Sequence, residues 1–143
     1  MKITITGVPR TKKNSQSVHY VGVRCPKCKK GTRAVVAPSS AYKVYEAQAV
    51  RQIQKPGAPI AHAVNVKCVY YLPLNKDGSM PKRLPDLTNL LEATDDILVR
   101  AGVLIDDNLS VIASHDGSRA VFGNEAPRTE IEITEATGWG CVV

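Results

Sequence analysis

The stretch Leu84–Asp107, LPDLTNLLEATDDILVRAGVLIDD, decides how the rest of the chain is read. Leu87, Leu90, Leu91, Thr94, Ile97, Leu98 and Ala101 recur at i, i+3, i+4 and i+7, the period of a helix with one buried face. A helix is predicted from about Asp86 to Ala101, with Gly102 where a helix end favours glycine. Apolar Val103, Leu104 and Ile105 follow, then the pair Asp106–Asp107. Five aspartates and a glutamate share this stretch. Carboxylates crowded in this way repel one another, and a divalent cation is the commonest reason for such a cluster.

Outward from that helix, Lys2–Thr6 alternates as a first strand, and Gly7–Gln16 is a loop. Ser17–Arg24 and Arg33–Ala37 read as strands flanking the turn CPKCKKG. Pro38–Ser39–Ser40 reads as a helix entry, with a serine cap before a second helix, AYKVYEAQAVRQIQ, whose stripe is Tyr42, Tyr45, Ala49 and Ile53 and which ends before Pro56. Val64–Leu72 is rich in β-branched and aromatic residues and reads as a central strand. Pro73–Pro85 is expected to be a mobile, basic loop. A strand near Leu109–His115, a turn at Asp116–Gly117 and a last strand near Arg128–Thr134 close the chain. Two main helices and a mixed sheet of about five strands, without strict alternation, predict a single α+β domain over residues 1–143.

The chain has 143 residues, 43% of them hydrophobic and 22% charged, which are ordinary globular values. Such a length buries about two-thirds of the unfolded surface without disulfides. No apolar run approaches the roughly 20 residues of a membrane span, and the N-terminus lacks the apolar core of a signal peptide, so a cytoplasmic protein is expected. The net charge of +6 is unevenly distributed. Residues 1–83 carry 16 Lys and Arg against Glu46 and Asp77, a balance of +14; residues 84–143 carry 3 against 11 acids, a balance of −8. Basic surface beside a carboxylate cluster suits a metal-dependent enzyme acting on a polyanion, although unevenly solvated faces of one domain would give the same balance.

Spacing sharpens the acidic cluster. On a helix, Asn89, Glu92 and Asp96 fall within roughly 60° of one another, opposite the leucine stripe. Asp86 stands at the helix start, where the macrodipole favours an anion. The helix is roughly 22 Å long, and Gly102–Asp107, if extended, travels back about 20 Å. Asp106 and Asp107 can therefore return towards Asp86. Carboxylates from separate elements, with waters completing the shell, are how proteins hold Mg²⁺. The plainer reading makes Asp86 an N-cap and Glu92, Asp95 and Asp96 solvated surface.

Pro85-Asp86-Leu87-Thr88-Asn89-Leu90, followed by Asp96, Gly102 and Asp106–Asp107, resembles the signature of the RusA family of Holliday-junction resolvases. Gly7-Val8-Pro9 with Lys12-Lys13-Asn14-Ser15 is similar to the family's N-terminal loop, and Pro127–Ile133 to its closing strand. The resemblance covers most of the chain except roughly Val21–Ala37. It implies a small dimeric Mg²⁺- or Mn²⁺-dependent endodeoxyribonuclease of bacteria or their phages that cuts branched DNA such as a four-way junction. It places Asp86 and Asp107 at catalytic, metal-binding positions, with Asp106 and Asp96 at further acidic ones. Two positions depart from the pattern: Thr88 replaces an aspartate, and Glu92 replaces a helix lysine. Either Glu92 supplies the missing carboxylate, or the site is weakened and the protein binds DNA without cutting it. A phosphohydrolase of small nucleotides fits less well, because few aromatics are available to stack a base.

Lys12, Lys13, Asn14, Lys82 and Arg83 suit contacts to DNA phosphates. Cys25 and Cys28, in a segment that reads as an insertion at 21–37, either form half of a structural Zn²⁺ site or remain thiols in a turn. His19, Cys68, Cys141 or a second copy of the chain would have to complete such a site.

Overall fold

A computed structural model describes residues 1–13, 16–23, 26–27 and 31–140. Strand β1 (Lys2–Thr6) leads to a hairpin of β2 (Gln16–Gly22) and β3 (Thr32–Pro38), then to α1 (Ser40–Gln52) and β4 (Val64–Pro73). Helix α2 (Leu87–Arg100) is followed by β5 (Ile112–Ser114), β6 (Arg119–Gly123) and β7 (Arg128–Glu135). The main sheet has five strands, and β2–β3 form a separate two-stranded sheet. The α+β domain with a mixed sheet and two helices is therefore present as expected.

Strand β4 organises the sheet. One of its edges pairs antiparallel with β7, which pairs antiparallel with β1. Its other edge is shared: Val64 and Asn65 pair parallel with β5, and Val69–Pro73 pair parallel with β6. Parallel strands need a long crossover, and α2 supplies it between β4 and β5. Val64, Val66, Cys68, Tyr70 and Leu72 alternate onto one face of β4 and are all buried. They share a core with Ile5, Ile131 and Ile133 of the neighbouring strands and with the stripes of both helices. The other face of the sheet is solvated: Lys67 and Lys2 approach Glu132 at 3.7 and 3.9 Å, and Arg128 lies 3.6 Å from the centre of the Tyr71 ring.

Both helices start and stop where local chemistry directs. Ser39 Oγ accepts the Tyr42 N–H at 3.2 Å. At the end of α2, Gly102 has φ +73°, its N–H bonds Val99 O, and Val103 N–H bonds Leu98 O at 2.9 Å. This paired closure requires a left-handed residue and turns Val103 into the core.

Four expectations differ from the structure. Strand β6 lies between the expected turn at Asp116–Gly117 and the last strand, where the sequence predicts no strand; its pairing with β4 is non-local and leaves little trace in a five-residue segment. Strand β5 is shorter than Leu109–His115, because Ser110 and Val111 N–H groups bond back to Asn108 and hold a turn there. The loop Pro73–Pro85 is tied internally: Asn75 bonds Ser79 and Met80, and Gly78 N–H bonds Asn75 O. Cys68 is fully buried on β4, and burial pushes its thiol up to about 12, so it is no partner for the hairpin cysteines. Cys25, Cys28, Asn14 and Cys141 lie outside the described residues.

One polar link crosses the core between the sheet and α2. Thr94 Oγ donates to Leu90 O at 2.9 Å, so the Tyr70 hydroxyl, 2.8 Å away, donates to Thr94. Burial raises the Tyr70 pKa, and the hydroxyl remains a donor. Thr94→Val, nearly isosteric, removes that hydroxyl's oxygen acceptor in the core and leaves it only the weaker Cys68 thiol. The expected loss is about 1–2 kcal/mol in urea unfolding, and an unchanged midpoint would show that the bond contributes nothing.

Candidate active site

The acidic face of α2 meets the N-terminal loop. Lys12 Nζ lies 3.1 Å from Asp96, and Lys13 Nζ lies 2.7 Å from Glu92. Glu92 and Asp96 do share one helix face, as their spacing requires. The bond to Asp96 raises the Lys12 pKa, so the pair stays charged. The two lysines expected to hold phosphates are thus in contact with two of the candidate catalytic acids. These pairs are at least partly open to solvent and individually worth about 1 kcal/mol or less, so a phosphate can displace them.

Asp86 occupies the N-cap position of α2 with extended backbone, yet its carboxylate makes no capping bond. Its Oδ2 instead accepts from the Asn89 amide at 3.1 Å. The helix start therefore leaves this exposed carboxylate directed outward from the N–H groups it would ordinarily cap. Thr88, on the first turn, is also exposed.

The chain beyond α2 is steered by Ile60, which forms a parallel bridge with Leu104 and accepts the Ile105 N–H at 3.0 Å. Asp106 then closes a local turn: its Oδ1 accepts the Asp107 N–H at 2.8 Å and its Oδ2 accepts the Asn108 amide at 2.6 Å. Asp107 contributes only its N–H to that turn, and its side chain is exposed. Among the described residues, no three His, Cys, Asp or Glu side chains gather closely enough to hold a metal ion. Asp107 also lies near enough to Asp95 to act on it electrostatically.

Asp95, solvated surface on the plainer reading of the sequence, is instead largely buried. Only 13% of its side chain is exposed, and its Oδ2 lies 3.0 Å from His115 Nε2. His115 Nδ1 lies 2.7 Å from Val66 O, a carbonyl that only accepts, so Nδ1 carries a proton. The Nε2···Oδ2 contact then needs one further proton, on either partner. Burial raises the Asp95 pKa, opposed by the bond to His115; the bond to Asp95 raises that of His115. Asn65 fixes the loop that carries the histidine, accepting from Ser114 Oγ and Asp116 N–H. A signal for Asp95 existed: it lies four residues after Leu91 and three before Leu98, on the apolar stripe.

Lys82 and Arg83 line an open groove together with Arg10. No helix among the described residues is long and apolar enough to cross a membrane. No curated protein matches the chain. A family model for Endodeoxyribonuclease RusA matches residues 7–134. That span runs from the N-terminal loop through both helices and the Asp106–Asp107 turn into β7, and the chain belongs to the RusA endodeoxyribonuclease family.

Proposed function

We propose that the protein is a structure-specific endodeoxyribonuclease that resolves Holliday junctions and related branched DNA by hydrolysing phosphodiesters with Mg²⁺ or Mn²⁺. The observation that carries this reading is the family match over residues 7–134, a span that includes Asp86 and Asp107. Hard oxygen donors of this kind suit Mg²⁺, which usually takes one or two carboxylates and completes its shell with waters and substrate phosphates. A cluster of three protein carboxylates is therefore not needed, and Asp86 and Asp107, assisted by Asp106, would hold the ion. When bound, the cation supplies water activation and charge neutralisation at the scissile phosphate.

The remaining roles belong to the chain. Lys82 and Arg83 grip the backbone beside Asp86, while Lys12 and Lys13, with Asn14 in the same loop, exchange their carboxylate partners for phosphates as DNA arrives. Glu92 and Asp96, released by that exchange, face the substrate side of α2. A four-way junction requires two symmetric nicks, so a homodimer in the bacterial cytoplasm completes the reading. Cys25 and Cys28, if they take zinc, stabilise the hairpin.

The test is incubation with a four-way junction, linear duplex and free nucleotides, each with Mg²⁺ or EDTA. Paired nicks across the junction, abolished by EDTA, are expected. A second reading, a DNA-binding protein that does not cut, draws on the neutral Thr88 and on the lysines seated against Glu92 and Asp96. Junction binding without nicks would support it, and turnover of free nucleotides alone would indicate a phosphohydrolase. Glu92→Ala separates repair of the site from its loss. If Glu92 substitutes for the carboxylate absent at Thr88, cleavage falls about ten- to a hundred-fold with binding retained. Undiminished cleavage would reject that role.

A further inference from the structure

The groove that holds Lys82 and Arg83 has a volume of about 660 Å³, inside the ~300–1,000 Å³ range of small-molecule sites. Its floor is apolar: Leu72 from the buried face of β4 and Phe122 from β6. Val8 and Leu84 form the walls, 41% and 51% exposed. Three cations, Arg10, Lys82 and Arg83, line the same groove. Among the described residues none of the three enters an ion pair, whereas Lys12, Lys13, Arg100 and Arg128 all do. Prolines 73, 81 and 85 stiffen its edge, so a ligand meets a preformed surface with little ordering cost. The edge ends at Pro85, one residue before Asp86.

An apolar slot lined with unneutralised cations does not fit an apolar peptide. It fits a ligand with a flat apolar face and anionic links on either side. We propose that the groove receives one unpaired nucleotide of the branched DNA, with its base on Leu72 and Phe122 and its phosphates on Arg10, Lys82 and Arg83. The inference rests on the reading of the chain as a branched-DNA endonuclease and extends it to how the substrate is selected. Base stacking on a protein surface tolerates any sequence, and extruding a base costs least where it is already unpaired. The branch point is therefore recognised by its loosened bases, and capture of one sets the adjoining phosphodiester beside Asp86.

Two four-way junctions decide it, identical except that one carries a mismatch at the branch point with 2-aminopurine as one unpaired base. In EDTA, the mismatched junction is expected to bind about ten-fold more tightly by anisotropy, with a change in 2-aminopurine fluorescence. Phe122→Leu removes the ring, and Val8→Glu, at an exposed position that folding tolerates, places a carboxylate in the slot. Both should bring the ratio of the two affinities towards one. Equal affinities and unchanged fluorescence, with the junctions still cleaved in Mg²⁺, overturn the groove assignment alone. Failure to bind any DNA overturns it together with the endonuclease reading. Loss of a DNA-free dimer in Val8→Glu would mark the groove as an interface between copies and would also overturn it.

Discussion

Asp107→Asn and Asp86→Asn should each bind a four-way junction at least as tightly as the parent protein and cut it about a thousand-fold more slowly, the scale of losing a charge that stabilises the transition state. Asparagine keeps the shape of each side chain and removes only its charge. At Asp86 the fold has little to lose, because the carboxylate makes no capping bond and accepts instead an exposed hydrogen bond from the Asn89 amide. At Asp107 the turn is held by the side chain of Asp106 and by the Asp107 backbone N–H, both unchanged by the substitution. Removing a negative charge beside DNA lowers repulsion, so binding does not suffer. Single-turnover cleavage and binding in EDTA, measured on the same preparations, separate the two effects. Cleavage within ten-fold of the parent for both variants would remove these residues from the chemistry.

His115→Ala should cost about 2–3 kcal/mol, the largest stability loss expected from any polar substitution near the site. The imidazole joins Val66 O to Asp95 Oδ2, and Asp95 Oδ1 is buried with no hydrogen-bond partner among the described residues. Without the ring, a largely buried carboxylate is left beside the charges of Asp96 and Asp107. Removing one member of a fully buried pair costs more than this, and the 25% exposure of His115 moderates it. A drop in melting temperature of roughly 5–10 °C should accompany the loss.

The same pair gives the parent protein a pH dependence of known sign. The free imidazole binds its proton below about pH 6.5, and in the folded chain the bond to Asp95 raises that value. Between the two values the native state binds more protons than the unfolded one, so stability falls as pH rises through this window. The contribution is complete below pH 6.5 and is lost above the raised value. Urea midpoints taken from pH 6 to 9 should show this decline in the parent and lack the histidine's share in His115→Ala. Parallel profiles for the two proteins would mean that the pair is not a charged one.

Local patterns carried their own information into the sequence. The stripe of α2, apart from Leu87, which is exposed at the helix start, and the Tyr42–Ile53 stripe of α1 identify buried faces, because a helix repeats every 3.6 residues whatever it packs against. Ser39 and Gly102 mark helix ends through their own backbone bonds. The alternation of β4 is visible because one face is core and the other solvent. Strand β6 escaped because its pairing with Val69–Pro73 bridges some 50 residues, and five residues carry too little pattern to declare it. At the site, the shared face of Glu92 and Asp96 followed from helix spacing, but the lysines that occupy it come from a loop some 80 residues away.

By itself, then, the sequence determined the α+β class, both helices with their ends, the central strand and the RusA family, which the family match shows. All of these depend on interactions within a few residues or on a linear pattern of residue types. Only the tertiary structure decided that Asp95 is buried against His115, that Cys68 belongs to the core, and that Arg10, Lys82 and Phe122 border one groove. Those are relations between distant segments. Whether a carboxylate faces solvent, a lysine or a histidine depends on what the fold brings to it, which residue spacing along one element does not encode.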